Sequence, residues 1–375
     1  MRLVLFRAAG SLPAGAGAGA LPGSAAALQT HLHLLRVGAL VGDAHVADVS
    51  AALVAAGLSA APLSSMRAFL ALGEPALAVA RAAAADAAAA LPLASVELRA
   101  PMYDSEKVLC VGMNYADHCH EQNQPVPVEP VIFNKFASSL CASGDPLVHP
   151  AETGALDYEV ELCIVVGKEC RRLTRETAMA HVAGFTVAHD VSARDWQLKK
   201  NGGQWLLGKG LDGFAPIGPA IVTPDEVGDV HALRLRCIVN GVALQDGNTA
   251  TLVHKTEDIL VWITKFITLR PGDLILTGTP PGVGCFRKPT PIWCVVFGRS
   301  RPLMPTDALP LSFSARTAGC TRATSSRARS RRSAASPTLS LPTRTYPRSL
   351  TSRPRRPRLR RGGACPGSTT AEEGR

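Results

Sequence analysis

Short apolar runs separated by Gly, Pro and Asn fill the middle of this 375-residue chain. Runs that are rich in β-branched residues and bounded by turn residues are typical of β-strands. They predict strands at Val108–Gly112, Val131–Phe133, Val160–Gly167, Gly184–His189 and Leu274–Gly278. Longer amphipathic patches predict helices at Tyr115–Asn123 and Thr256–Ile267. We therefore expect a strand-rich domain over residues 101–289.

The first hundred residues are rich in Ala and Gly instead. The alternation of Met1–Phe6 predicts a strand, and the Ala-dominated run Ala76–Ala90 predicts a helix, because Ala is the best helix former. An acid-poor start with scattered Arg is also a feature of mitochondrial transit peptides. The strand pattern favours a small folded domain over residues 1–100.

Positive charge is concentrated at the C-terminal end. The formal net charge is +10, but residues 299–375 contain 17 Arg, no Lys and three acidic residues, so the rest of the chain is net negative. This Arg/Ser/Pro-rich segment lacks apolar periodicity, and residues 290–375 are predicted to form a disordered tail. A nucleic-acid-binding tail is an alternative, but a negative body makes nucleic acid a poor partner for the main domain.

Composition excludes other classes of site. The 46% of hydrophobic residues suffices for a core, and the longest apolar runs are too short to predict a membrane span, so no membrane partner is expected. Ten Cys residues occur without a CxxC pair, which favours a reducing compartment and argues against a zinc site.

Acidic and apolar residues alternate in the segment Asp157-Tyr158-Glu159-Val160-Glu161-Leu162. On a strand this alternation places Asp157, Glu159 and Glu161 on one face. The apolar residues that follow carry the strand into the interior, where carboxylates need a proton, a cationic side chain or a metal ion. A solvated edge strand is the alternative.

A further acidic residue, Asp190, ends the predicted strand Gly184–His189 and begins a polar loop, a common place for functional groups. Three carboxylates, Glu159, Glu161 and Asp190, form an all-oxygen ligand set that suits Mg²⁺ or Mn²⁺ better than zinc. Alternatively, Asp190 caps the next helix and Asp195 pairs with Arg194.

Two other motifs offer polar groups for chemistry. His118 and Glu121 are three residues apart and share a face of the predicted helix, an arrangement suited to a general base or simply to an exposed helix face. Lys209 follows an apolar run, so it is either desolvated and directed at an anion or extends to the surface. The loop Thr277–Gly284 can hold a carboxylate through its N–H groups, but it lacks the Gly-Lys-Ser/Thr ending of a nucleotide-binding loop.

Together these segments resemble the fumarylacetoacetate hydrolase superfamily over about residues 1–289. The resembling stretches are VGMNYADHCHEQN (111–123), DYEVELCIVVGK (157–168), HVAGFTVAHDVSARDWQ (181–197), QWLLGK (204–209) and LILTGTPPGVG (274–284). The resemblance implies an α+β, β-rich fold, a mixed β-roll of the fumarylacetoacetase C-terminal type with a small N-terminal α/β domain, usually as a homodimer.

The resemblance also implies roles for residues. Glu159, Glu161 and Asp190 match the family's metal ligands, and His118 with Glu121 matches a His–Glu dyad on a mobile lid. Lys209 matches a further catalytic position. The positions that face substrate in relatives correspond to Arg194, Gln197 and Thr279.

The implied activity is that of a Mg²⁺-dependent enzyme, with Mn²⁺ or Ca²⁺ as alternatives, that acts on small 2-oxo acids through an enolate. An oxaloacetate enol–keto tautomerase is favoured, with acylpyruvate hydrolysis and oxaloacetate decarboxylation as alternatives. The compartment implied is the mitochondrion, or the cytoplasm if the targeting segment is absent. After Gly284 the sequence departs from the family pattern, and the strands that close the β-roll are predicted to be missing. A catalytically impaired isoform with a replaced C-terminus is therefore another alternative.

Overall fold

The computed structural model describes residues 1–11 and 31–287, together with the backbone of residues 296–297 and 311–316. These residues lie in one compact unit, Met1–Arg322, and a second unit, Ala323–Arg375, lies outside the described residues. The predicted disordered tail also lies largely outside them. In the described part of the chain, no helix combines the length and apolar character needed to cross a membrane.

The described residues form 18 strands. They are β1 (Arg2–Ala8), β2 (Arg36–Val41), β3 (His45–Asp48), β4 (Leu91–Pro92), β5 (Val96–Arg99), β6 (Val108–Gly112), β7 (Val131–Lys135), β8 (Leu140–Ala142), β9 (Leu156–Asp157), β10 (Val160–Val166), β11 (Val182–His189), β12 (Ser192–Ala193), β13 (Ala215–Val222), β14 (Arg234–Val239), β15 (Val242–Asn248), β16 (Leu274–Leu276), β17 (Val296–Phe297) and β18 (Leu311–Arg316).

The α-helices are mostly short. They are α1 (Val49–Ala55), α2 (Met66–Ala71), α3 (Glu74–Ala85), α4 (Ala116–Glu121), α5 (Arg175–Ala178), α6 (Arg194–Leu198), α7 (Leu206–Lys209), α8 (Pro224–Val227) and α9 (Thr256–Phe266). The described residues also form single 3₁₀ turns, at Leu32–Leu34, Ala87–Ala89, Leu93–Ser95, Ala137–Ser139, Met179–His181, Asn201–Gly203, Val230–Ala232, Thr249–Thr251 and Gly284–Phe286.

The described strands form one large mixed sheet and two smaller sheets. The large sheet has 12 strands in the order β4-β3-β2-β1-β13-β11-β10-β16-β6-β7, with β5 added to β1 and β8 added to β13. Most neighbours run antiparallel, whereas β16 runs parallel to β6 and β8 runs parallel to β13. This strand-rich mixed architecture confirms the predicted α+β, β-rich fold.

The predicted domain boundary near residue 100 falls between β5 and β6, and strands from both sides of it belong to the large sheet. Arg2 and Leu3 of β1 pair directly with β13. One apolar cluster contains Leu5 and Val37 together with Cys163 and Ile217, so the two segments also share buried contacts.

Two short strands come from the segment in which closing strands were expected to be missing. β18 runs parallel to β14, and β17 runs antiparallel to β18, which gives the sheet order β15-β14-β18-β17. Strands from beyond residue 289 therefore do pair with this sheet.

The predicted helix Ala76–Ala90 is wrong at its C-terminal end. Helix α3 ends at Ala85, and Asp86 follows it with its side chain accepting a hydrogen bond from the Ala88 N–H, 3.2 Å away. A short acid that bonds a nearby N–H competes with helix continuation. One Asp thus ends a helix that the neighbouring Ala residues alone would extend.

Candidate metal centre and active site

Strand pairing brings together the acidic residues predicted to bind metal. Strands β10 and β11 are antiparallel, with Glu161 opposite Ala188 and Val160 opposite His189. The Asp190 N–H then donates to the Glu159 carbonyl oxygen, 2.9 Å away, so these residues lie side by side at the end of the strand pair. Carboxylate oxygens of Glu159, Glu161 and Asp190 all lie within 4.8 Å of one another, and all three residues are buried.

Asp157 does not share the position predicted from the alternation. Strand β10 begins only at Val160, so the alternating pattern is interrupted between Asp157 and Glu161. The Asp157 carboxylate accepts a hydrogen bond from Arg194 Nε at 2.8 Å. The guanidinium of Arg194 then donates to Glu159 Oε1, 2.6 Å away.

The structural alternatives considered for this region are wrong. Asp195 pairs with Lys200 at 3.0 Å, while the partners of Arg194 are Asp157 and Glu159. Helix α6 has Ala193, not Asp190, as its N-terminal capping residue. Burial of all three carboxylates also contradicts a solvated edge strand.

Lys209 lies between two of the three carboxylates. Its Nζ is 2.8 Å from Glu159 Oε2 and 2.7 Å from Asp190 Oδ2, and the side chain is 2% exposed. The surface alternative for Lys209 is therefore wrong. Helix α7, which carries Lys209, contacts α6, which carries Arg194, so the two cations approach the carboxylates from adjacent short helices.

A second buried lysine, Lys135 at the end of β7, was missed by the sequence interpretation. Its Nζ is 2.7 Å from Asp190 Oδ1. The same ammonium donates to the carbonyl oxygens of Val191 at 3.0 Å, Phe214 at 2.9 Å and Lys209. A lone lysine after an apolar strand carries no local signal for such a role, because its partners are distant in sequence.

Charge at this centre is unequally distributed. Burial opposes ionisation of Glu159, but Arg194 and Lys209 outweigh it and lower the pKa of Glu159 to about 2. Burial, followed by the charges of Asp190 and Glu159, raises the pKa of Glu161 well above its ordinary value. Burial disfavours the Lys209 ammonium, but Asp190 and Glu159 reverse this effect and raise the pKa of Lys209.

This donor set fits a divalent metal ion. Each of the three side chains offers a carboxylate oxygen, the ligand atom that hard divalent ions prefer. Burial and then the charges of Asp190 and Glu159 disfavour the ionised form of Glu161. A cation among the three carboxylates would supply compensating positive charge, so the residues are able to hold one.

The predicted dyad is formed within α4. His118 Nδ1 lies 2.9 Å from Glu121 Oε2, and His118 is buried, which contradicts an exposed helix face for this residue. A carboxylate only accepts, so Nδ1 of a neutral ring carries the hydrogen and Nε2 holds the lone pair. Gln122 Nε2, missed from the sequence, lies 2.7 Å from that His118 Nε2.

The remaining predicted site residues also line this pocket. Gln197 Oε1 accepts from Arg194 Nη1 at 2.8 Å, and Thr279 Oγ1 donates to the Val160 carbonyl oxygen at 2.9 Å. Thr279 also accepts from Gln245 at 2.7 Å. Of the predicted site residues, Glu121 alone does not line the pocket. Its partner His118 does line it.

The Gly/Pro loop binds a carboxylate of the protein itself. The Gly278 N–H donates to Glu161 Oε2 at 2.7 Å. An apolar wall completes the pocket, and it includes Phe133, Trp205 and Phe286. The Phe133 and Trp205 rings meet edge to face, with centroids 5.1 Å apart. The pocket therefore combines a buried charged floor with an aromatic side.

Comparisons with known proteins identify the family of this chain. The profile of the family "Fumarylacetoacetate (FAA) hydrolase C-terminal" matches residues 107–324. "Oxaloacetate tautomerase FAHD2A, mitochondrial" from Homo sapiens is 56% identical over 225 residues, covering 60% of this chain and 72% of the relative. "Fumarylacetoacetate hydrolase domain-containing protein 2 homolog" from Dictyostelium discoideum is 42% identical over 211 residues, covering 54% of this chain and 69% of the relative.

A solved structure supports the same conclusion for the fold. The fumarylacetoacetate hydrolase from psychrophilic Exiguobacterium antarcticum is 33% identical, with a TM-score of 0.61, covering 78% of this chain and 91% of that chain. The predicted resemblance to the superfamily is confirmed. This chain belongs to the fumarylacetoacetate hydrolase family of enzymes.

Proposed function

We propose that this chain interconverts the enol and keto forms of oxaloacetate with a divalent metal ion, Mg²⁺ in the first instance, held by Glu159, Glu161 and Asp190. The observation that carries this proposal is the buried pocket in which these carboxylates share a lining with His118 and Lys209. Relatives at 55–56% identity that are named oxaloacetate tautomerases support the choice of substrate.

A bound divalent ion would draw electrons from the 2-oxo oxygen and so acidify the neighbouring C3–H. Lys209 and Arg194 add fixed positive charge beside the carboxylates, where negative charge on the substrate would otherwise be repelled. Gln197 orients Arg194, and Thr279 lines the same pocket. These side chains thus bind and orient a small dianion.

Proton transfer is assigned to the dyad. His118 Nε2 would take the C3 proton when Gln122 moves aside, and Glu121 would stabilise the resulting imidazolium through Nδ1–H. The His118 imidazolium would then give this proton to the enolate oxygen, which completes the enol and restores neutral His118, and the reverse sequence gives the keto form. No bond other than C–H and O–H breaks, so the reaction needs no redox partner.

The test follows the loss of enol-oxaloacetate by its ultraviolet absorbance. The Mg²⁺-loaded chain should accelerate that loss, and stripping with EDTA or the change Glu161→Gln should abolish the acceleration. His118→Asn should lower kcat by about 10²–10⁴-fold, the usual contribution of a general acid–base group. Glu169→Gln, at an exposed glutamate, is the matched control and should retain full activity. Metal-independent acceleration would contradict the proposal.

Product analysis separates the alternatives in the same reaction class. Hydrolysis of an acylpyruvate and decarboxylation of oxaloacetate both release pyruvate, whereas tautomerisation releases none. Solved relatives named as hydrolases make this comparison necessary. A folded, metal-loaded chain with neither activity would instead favour the catalytically impaired isoform.

We further propose a homodimer that acts in mitochondria. The word mitochondrial in the names of relatives supports the compartment, and the family resemblance supports the dimer. Sedimentation of the purified chain and fractionation of cells that express it test the two points separately.

A further inference from the structure

One acidic residue outside the proposed metal ligands receives an unusual number of hydrogen bonds. Asp157 Oδ1 accepts from the Tyr158 N–H at 2.9 Å and the Gly284 N–H at 2.7 Å. Its Oδ2 accepts from Arg194 Nε at 2.8 Å and the Cys285 N–H at 3.0 Å. This buried carboxylate therefore joins three parts of the chain: its own strand, helix α6 and the loop of residues 282–286.

Close approach of the backbone at Gly284 makes this junction possible. A Cβ atom added to Gly284 would lie 2.4 Å from Asp157 Oδ1, well inside contact distance. Glycine is required wherever the backbone must come this near to another group. Glycine at position 284 therefore permits the contact with Asp157.

The opposite end of the 282–286 loop holds the dyad. The Gly282 N–H donates to the two Glu121 carboxylate oxygens, at 3.0 and 3.2 Å. The Phe286 ring stands edge-on to the His118 ring, with centroids 6.5 Å apart. Asp157 at the end of β9 is consequently linked, through the five residues of this loop, to both members of the dyad.

We propose that Asp157 is a positioning residue that acts through the 282–286 loop to place the His118–Glu121 dyad over the three carboxylates. The inference rests on the proposed function in so far as that function assigns proton transfer to the dyad. Asp157 itself lies outside the pocket lining. Its effect on the reaction is therefore indirect. The part that passes through the loop should matter only while the dyad is intact, whereas the contact with Arg194 is a separate path to the substrate-binding side chains.

A double-mutant cycle tests this dependence. Gly284→Ala, which displaces the loop but keeps the charge that pairs with Arg194, and Glu121→Gln should each lower kcat, Gly284→Ala by about tenfold, the ratio for losing one hydrogen bond to a charged group. Asp157→Asn should also lower kcat, but part of its effect passes through Arg194. The double variant Gly284→Ala/Glu121→Gln should be no slower than Glu121→Gln alone, because the loop and Glu121 act through one path. Effects that multiply would overturn the proposal. A Glu121→Gln variant with full activity would instead refute the catalytic dyad, which separates the two failures.

Cys285 offers a readout that does not depend on activity. It is half-buried in the loop, whereas the other cysteines in the described ranges are buried. Loosening the loop should raise the rate at which iodoacetamide alkylates Cys285, measured by peptide mass spectrometry. Burial raises the pKa of the Cys285 thiol to about 12, and the Asp157 charge adds to this, so Asp157→Asn alone would also change thiol reactivity.

Gly284→Ala avoids that ambiguity because it displaces the loop while the Asp157 charge remains. We expect Gly284→Ala to raise Cys285 alkylation by about tenfold. Gly154→Ala, whose added methyl meets no atom within 4 Å, is the matched control. Unchanged alkylation in Gly284→Ala would overturn the proposed role of the loop.

Discussion

Replacing Lys135 by Met should strongly destabilise the fold. Nζ of Lys135 is fully buried, 2.7 Å from Asp190 Oδ1, and it also donates to three backbone carbonyl oxygens. Met preserves the apolar stem but leaves the carboxylate and the carbonyl groups without that cation. Removing one partner of a buried ion pair costs about 3–5 kcal/mol. This is a large fraction of the roughly 5–15 kcal/mol that stabilises a typical domain.

Urea unfolding of the metal-free chain, followed by circular dichroism, measures this loss. Lys168→Met, at an exposed lysine, is the control and should change the free energy of unfolding by less than about 0.5 kcal/mol. Adding Asp190→Asn to Lys135→Met should restore part of the loss, because the amide carries no buried charge. A loss below about 1 kcal/mol, the size expected of a surface pair, would refute the reasoning.

Three further predictions concern the carboxylates, the aromatic wall and the large sheet. Because burial and then the charge of Asp190 raise the pKa of Glu161, its carboxyl keeps its proton to higher pH than an ordinary glutamate in the metal-free chain. Metal binding should therefore strengthen as pH rises and release protons, measured by calorimetry in buffers of different ionisation enthalpy, with fewer released in Glu161→Gln. Gly112→Ala places a methyl group 2.8 Å from the Trp205 ring and should raise KM more than it lowers kcat. Equal effects on KM and kcat would count against a substrate-binding role for the aromatic wall. Gly184→Ala places Cβ 2.4 Å from a β13 carbonyl oxygen and should cost about 1–3 kcal/mol in urea unfolding, so unchanged stability would contradict the pairing of β11 with β13.

Local pattern was sufficient to predict the strands that carry the metal ligands. The predicted strand Val160–Gly167 is observed as Val160–Val166, and Gly184–His189 lies within Val182–His189. β-Branched runs bounded by turns specify such strands without reference to the rest of the chain. Their antiparallel pairing, which places Glu159 beside Asp190, depends on long-range register, and local pattern does not specify it.

Residues that act through distant partners could not be recognised in this way. Lys135 is 55 residues from Asp190 along the chain, and Asp157 is 127 residues from Gly284. Asp157 was placed with Glu159 and Glu161 because period-two alternation assumes a continuous strand, whereas the strand begins only at Val160. The missed contacts are thus products of tertiary packing.

The most direct test of the metal centre is a titration of the stripped chain with Mg²⁺, in which bound metal and the rate of enol-oxaloacetate loss are measured together. The proposed site predicts a rate that rises with bound metal and stops rising at one ion per chain, and no such rise in Glu161→Gln. Full activity before any metal is bound, or an undiminished rise in Glu161→Gln, would contradict a catalytic metal held by Glu159, Glu161 and Asp190.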